Sequence, residues 1–328
     1  MSLKTVYTPD GTPANLGSEI GGGGEGTVYE VQTNTPNQNN ILVKIYHNTQ
    51  KTLEKKIDTM RVMPIRDEKF ISWPISPVFD VNKNWVGYAM RRISGVPAFY
   101  LAHPYLYNKD KYFPNANRGL VVNALIDLLK KIDLLHKEKV FIGDYNLNNI
   151  FFDPKTYKAY LIDCDSYQVK GFPCPVGSPD MTPKEHQGKK FDQISRTLES
   201  EYFSIAIVLF KCLMLGRHPY DIVGGADPVE NLKNGNFPYG KGKNGKENIP
   251  KGNWYNIWSW MPHYMKNCFI QTFTDGADNP KARVTTKEWI DNLTRYRNDL
   301  NKGYFGDGEM CPQHPKSSEY NGSKPSLD

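Results

Sequence analysis

Asp144, Asn149 and Asp163 are the residues whose types and order could do chemistry. Asp144 and Asn149 share the polar loop of "VFIGDYNLNNIFFD", between two short apolar runs. Asp163 closes the next apolar run, "AYLI". A carboxylate at a strand end followed by a tight turn is placed to hold a divalent cation, and Asn149 offers a second hard oxygen ligand. Asp144 is then left to orient or deprotonate a hydroxyl. Each alone is ordinary turn chemistry; the three in this order are not easily explained by turns.

Two further features point to an anionic ligand. "IGGGGEGTVYEV" carries Gly21, Gly23 and Gly26 followed by Val28, between two strand-like runs. Glycine lets backbone approach a phosphate because no Cβ intervenes. A dinucleotide-binding pattern would open a helix instead. Lys44, in "ILVKIY", faces either outward to solvent or inward. Inward, it needs an anion. Glu54 on the following helix, Glu68 and nucleotide phosphate are the candidates; Glu54 is preferred because it sits in mid-helix facing the sheet.

The elements that must position these residues are legible from period and punctuation. Residues 16–46 read as strand, glycine turn, strand, turn, strand. Thr49 is expected to cap a helix over 51–63 that Pro64 ends. Two more strands flank a turn at Asp80–Asn84. After Ser94-Gly95 the pattern becomes helical: "GLVVNALIDLLKKIDLLHKE" (119–138) is amphipathic, and helices are expected over 200–215, 227–234, 257–273 and 286–300. The expected division is residues 1–94, a small β-rich lobe with one main helix; 95–300, a larger helical lobe; and 301–328, a flexible tail.

Composition excludes several classes. The 328 residues are 39% hydrophobic and 23% charged, which is globular; a net charge of +6 is a mild excess and only a weak hint of polyanionic partners, and no nucleic-acid partner is expected. No apolar segment follows Met1, so neither a leader nor a membrane span is expected. The five cysteines show no Cys-x-x-Cys spacing, as in a reduced cytoplasmic protein. Cys311 and His314 make only half a metal knuckle, and the Lys-rich stretch 240–252 reads as a solvated loop.

In this order the motifs resemble the protein kinase superfamily, in particular bacterial eukaryotic-like Ser/Thr protein kinases. The resemblance runs from about residue 16 to 300. It implies an α+β bilobal protein-kinase-like fold and transfer of the γ-phosphoryl group of ATP, with Mg2+ or Mn2+, to Ser/Thr hydroxyls of a protein substrate. The glycine loop would cover the nucleotide, held between the lobes, and Lys44 would bind its phosphates with Glu54 as partner. In "YAMRRISG", similar to a hinge, Met90 is the gatekeeper and Arg91–Arg92 lie where backbone reads adenine. "IGDYNLNNIFF" is similar to the catalytic loop: Asp144 is the base, Asn146 stands where a lysine neutralises transferred phosphate, and Asn149 holds metal with Asp163 of "LIDCDS". "GSPDMTPKE" resembles the end of an activation segment, whose Glu185 pairs with Arg283 of "NPKARVTTKEW".

Departures accompany the match. Gly143 replaces an arginine that engages a phosphorylated activation segment, Ile142 a histidine, and Asp165 the glycine of the metal-binding turn. Glu201 replaces an aspartate of the central helix, and its extra methylene changes the reach to the catalytic loop. The alternative is a nucleotide-binding scaffold with little transfer activity. A small-molecule phosphotransferase shares the Gly-Asp-x-x-x-x-Asn loop but generally lacks the Glu185–Arg283 pair. The same resemblance implies, as partners, a co-encoded metal-dependent Ser/Thr phosphatase and a von Willebrand A-type protein.

Overall fold

A computed structural model describes residues 4–32, 40–104, 109–240, 247–306 and 308–316. Residues 241–246 of the expected Lys-rich loop and the end of the expected tail, residues 317–328, lie outside the described residues. The chain forms two compact units. The first holds Met1–Ser94 with Tyr160–Phe172, the second Gly95–Ala159 with Pro173–Asp328.

In the first unit six strands close a barrel: β1 (Thr5–Tyr7), β2 (Pro13–Gly22), β3 (Gly26–Val31), β4 (Ile41–Tyr46), then after helix α1 (Lys51–Met60), β5 (Pro74–Phe79) and β6 (Trp85–Arg91). The order round the barrel is β1-β2-β3-β4-β6-β5, all antiparallel, and the Tyr7–Phe79 pairing closes it. Alternation puts Val6, Leu16, Val43 and Val78 inside as one apolar cluster. The closing strand β1 was not expected. Three residues cannot show a period, and their pairing with β5 is non-local.

Helix α1 is shorter than expected and starts at Gln50 without a side-chain cap, so Thr49 does not cap it. It ends at Met60, and Pro64 opens a separate 3-10 turn, Pro64–Asp67. Its buried residues are Lys56, Ile57 and Met60. Trp73 is buried and donates to the Met60 carbonyl at 2.8 Å, which ties β5 to the helix end. Residues 160–172 return to this unit. Leu161 bridges Ile71 in parallel and exchanges backbone bonds with Phe70 and Ser72.

The second unit opens with β7 (Val96–Pro97), α2 (Ala98–Ala102) and α3 (Lys109–Tyr112) before the long helix α4 (Arg118–Lys137). The Asn117 side chain caps α4 by accepting from Leu120 N. Strand β8 (Ile150–Phe152) pairs antiparallel with β7. Helix α5 (Leu198–Leu213) begins with a capping box, Thr197 and Ser200. It is buried nearly all round, as its continuous apolar sequence demands. Then come α6 (Pro228–Lys233), α7 (Trp254–Trp260), α8 (His263–Phe273), α9 (Asp275–Asp278) and α10 (Thr286–Asn301). The single helix expected over 257–273 is two, because Pro262 cannot donate to the helix ladder. Phe210, Phe237, Phe269 and Phe273 meet edge-on and stacked in the core. Full burial of each such ring stabilises by about 1.5–3 kcal/mol.

The tail is a correction. Phe305 and Met310 are buried, and Arg118 donates to the Met310 carbonyl at 2.7 Å. Trp260 donates to the His314 carbonyl at 2.8 Å, and Cys311 Sγ accepts from Asn253. Side-chain donors on α4 and α7 satisfy backbone that the tail's polar composition made look solvated. Among the described residues no group of three or more His, Cys, Asp and Glu is placed to hold a metal ion.

Candidate functional site

The glycine loop is the β2–β3 hairpin, in which Gly21 pairs with Val28. A Cβ on Gly26 would sit 2.5 Å from the Ile45 carbonyl, so the close approach of β4 requires this glycine. Gly21 and Gly23 differ. Neither has positive φ, and a Cβ on either would meet nothing within 4 Å. Packing and backbone therefore do not explain why they lack side chains.

Lys44 pairs with Val28 on one side and Tyr88 on the other, and its side chain points inward, 5% exposed. Its Nζ donates to Asp163 Oδ1 at 2.8 Å and to both Asp165 oxygens at 2.9 and 3.0 Å, with Glu25 Oε2 at 3.9 Å. Tyr46 donates to Asp165 Oδ2 at 2.5 Å. Burial presses the Lys44 ammonium down, but Asp165 and Asp163 outweigh it and hold the lysine above its ordinary value. Burial likewise pushes the Asp165 carboxyl up, and Lys44 and Tyr46 overcome it, leaving Asp165 below the usual carboxylate range. The Glu25 carboxyl is raised, by burial first and then by the neighbouring acids against the pull of Lys44.

The expected Lys44–Glu54 pair does not form. Glu54 lies on the half-buried side of α1 while Lys56 and Ile57 take the buried face. Glu68 contributes only its carbonyl, to Arg91. Sequence reasoning saw Asp165 as a departure and missed it as a partner. Two acids flanking Cys164 at the end of an apolar strand were the available signal.

Asp163 adopts a left-handed backbone, φ 56°, uncommon for a residue other than glycine. Lys44 engages its Oδ1, and its side chain is 44% exposed, so a carboxylate oxygen is presented to solvent. Met90 is buried. Arg92 N–H donates to the Asn40 carbonyl at 2.7 Å, and the Arg91 carbonyl accepts from Ser72 at 3.0 Å. Sheet pairing thus spends the Arg92 donor expected to read adenine.

In the second unit the catalytic-loop candidate is held from below by Glu201, buried on α5. Its carboxylate accepts from Ile142 N at 2.9 Å, Gly143 N at 3.0 Å and Tyr145 OH at 2.7 Å. The longer side chain therefore reaches both amides. Gly143 has φ 71°, and a Cβ there would lie 2.7 Å from Cys174 Sγ and 3.1 Å from Arg196 Nε. Arg196 is buried and donates to the Val176 carbonyl at 3.2 Å, so a guanidinium from another segment fills the space beside Gly143.

Asp144 Oδ1 accepts from the Ser178 hydroxyl at 2.9 Å. Asn146 Oδ1 accepts from Asn148 N at 2.9 Å, an Asx turn that commits this oxygen to the loop. The Asn149 side chain is half-buried and makes no hydrogen bond among the described residues. Arg283 and Glu185 form a bidentate pair, both contacts 2.7 Å. Arg283 also donates to the Glu199 and Gly276 carbonyls. Burial pushes the Glu185 carboxyl up, and the bonds and charge of Arg283 bring it below the ordinary value. Asp163, in the first unit, presents an exposed carboxylate oxygen, and Asn149, in the second, carries a side-chain carbonyl; each is a hard oxygen of the type that suits a magnesium-sized cation.

This is the fold of a protein kinase domain. The autoinhibited serine kinase domain of the giant muscle protein titin superposes with a TM-score of 0.63, covering 87% of this chain and 81% of that one, at 13% identity. In sequence the chain is similar to protein kinase YegI of Escherichia coli O157:H7, 26% identical over 324 residues, and of strain K12, 25% over 323. These alignments cover 94% of this chain and 49% and 48% of those proteins, so the chain spans about half the length of the curated relatives it matches. No family model matches the chain. The fold is thus that of a kinase domain, and the sequence is similar at about a quarter identity to two proteins named as kinases. Among the described residues no helix is long and apolar enough to cross a membrane.

Proposed function

We propose that this chain is a protein kinase that transfers the γ-phosphoryl group of ATP to serine or threonine hydroxyls of a protein substrate. The observation that carries the reading is the Ser178–Asp144 bond, in which a hydroxyl donates to the candidate base at 2.9 Å. An acceptor hydroxyl in that place would be oriented and relieved of its proton at Asp144 Oδ1. Lys44 would contact phosphate, and the unexplained side-chain space at Gly21 and Gly23 suits a backbone cradle for it. Asp163 and Asn149 would hold Mg2+ or Mn2+, which neutralises phosphate charge when bound. The Asn146 amide brings no charge, which predicts a slow enzyme. A metal-dependent phosphatase and a von Willebrand A-type protein are the proposed partners, in a cytoplasmic setting that suits five free cysteines.

Incubation of the chain with labelled ATP, Mg2+ and generic protein substrates tests this. Label transfer by wild type, lost in Asp144→Asn and Asp163→Ala, is the expected result. Equal silence of all three, with ATP still raising the melting temperature, would replace transfer by a scaffold role.

A further inference from the structure

Asp165 is the one carboxylate around Lys44 with almost no exposed surface. Its side chain is 2% exposed, against 44% for Asp163 and 51% for Glu25. Both its oxygens bond Lys44, and Tyr46, two residues along β4 and so on the same face, bonds one of them. Both oxygens of this enclosed carboxylate are committed to the lysine, one of them also to the tyrosine.

In protein kinases a glutamate of the helix after the lysine strand ordinarily holds this lysine, and moving that helix makes or breaks the pair. Here α1 turns Lys56, Ile57 and Met60 inward. The geometry points to Asp165 as the positioning residue for Lys44, in place of a helix glutamate, so that the lysine is set whatever the position of α1. The inference rests on the proposed reading that Lys44 binds nucleotide phosphate. It also explains why two acids are needed. If Asp163 turns to a cation, Lys44 would be a buried ammonium left with only the half-exposed Glu25 at 3.9 Å, an expensive state, unless a hydrogen-bonded carboxylate stays with it.

The test is a pair of double-mutant cycles on the full chain. Asp165→Asn and Glu54→Gln are each made alone and together with Lys44→Met. Mg-ATP affinity is measured by calorimetry, and unfolding in urea is followed without nucleotide. Asp165→Asn is expected to weaken Mg-ATP binding about tenfold or more when Lys44 is present and less than about twofold when it is not. Glu54→Gln is expected to have the same effect in both backgrounds. In urea, Asp165→Asn and Lys44→Met are expected to be strongly non-additive, and Glu54→Gln and Lys44→Met additive. Equal weakening by Asp165→Asn in both backgrounds, the mark of a merely structural role, would overturn the inference, as would coupling of Glu54 to Lys44. If wild type binds no Mg-ATP, the phosphotransfer reading fails and the urea cycle alone decides: coupling of Asp165 to Lys44 supports the anchor, additivity overturns it. Should Asp165→Asn not fold, Tyr46→Phe takes its place in the same cycle.

Discussion

Each unit buries a cation against carboxylate, and the two sites differ in how their charges close. Arg283 is matched one to one by Glu185, and its remaining donors end on the Glu199 and Gly276 carbonyls. Lys44 faces Asp163, Asp165 and Glu25 at once. The first arrangement is complete and asks for nothing further. The second sets three acids around one lysine and so carries more anion than cation. A buried ion pair by itself says little about function; an unbalanced one says more.

The largest effects are expected from removing the two carboxylates proposed for transfer, Asp163 of the unbalanced site and Asp144 of the second unit. Asp163→Ala and Asp144→Asn are each expected to lower transfer of labelled phosphate by about a thousandfold or more. Urea unfolding of Asp144→Asn is expected to stay near wild type, which separates chemistry from folding. Breaking the balanced pair does the reverse. Arg283→Met strands the Glu185 carboxylate and is expected to cost about 3–5 kcal/mol in urea.

Acid distinguishes the sites further. His218, buried in the second unit and bonded to the Asp180 carbonyl at 2.7 Å, is lowered to about 4, first by burial. The unfolded chain takes that proton near pH 6.5. Stability is therefore lost as pH falls from about 6.5 to 4, by roughly 3 kcal/mol. The Glu185 carboxylate is depressed, so its contribution is present above its unfolded value of about 4.5 and goes only as pH falls below that. Urea midpoints at pH 7 and 4.5 are expected to differ in wild type and to differ less in His218→Gln, with the remainder carried by His186, which is also lowered to about 4 by burial.

The smallest expected effects lie in the glycine hairpin. Gly26→Ala collides with the Ile45 carbonyl and is expected to cost about 1–3 kcal/mol. Gly21→Ala, with open space around it, is expected to change urea stability by less than about 0.5 kcal/mol while weakening Mg-ATP binding.

Local signals were readable and long-range ones were not. The apolar stripe predicted 119–138 and the structure gives Arg118–Lys137; the turn at Asp80–Asn84 closes between β5 and β6 as its residues suggest. Both depend on neighbours in sequence. The Lys44–Asp165 contact joins two ends of a unit whose chain leaves and returns, and the paired acids beside Cys164 were its one local sign. The Lys44–Glu54 expectation failed because a helix's inward face is chosen by packing, and the polar glutamate yielded to Lys56, Ile57 and Met60. The tail misled because composition reports side chains, while α4 and α7 hold its backbone.

Glu201 has a similar consequence for the loop around Asp144. It grips Ile142 and Gly143 by their amides, which every residue except proline supplies. The path of the loop is thereby separated from the identity of the side chains it carries. Residue 142 can depart from the customary histidine, and residue 143 from the customary arginine to the glycine that its φ of 71° and the closeness of Cys174 favour, while Asp144 keeps its place.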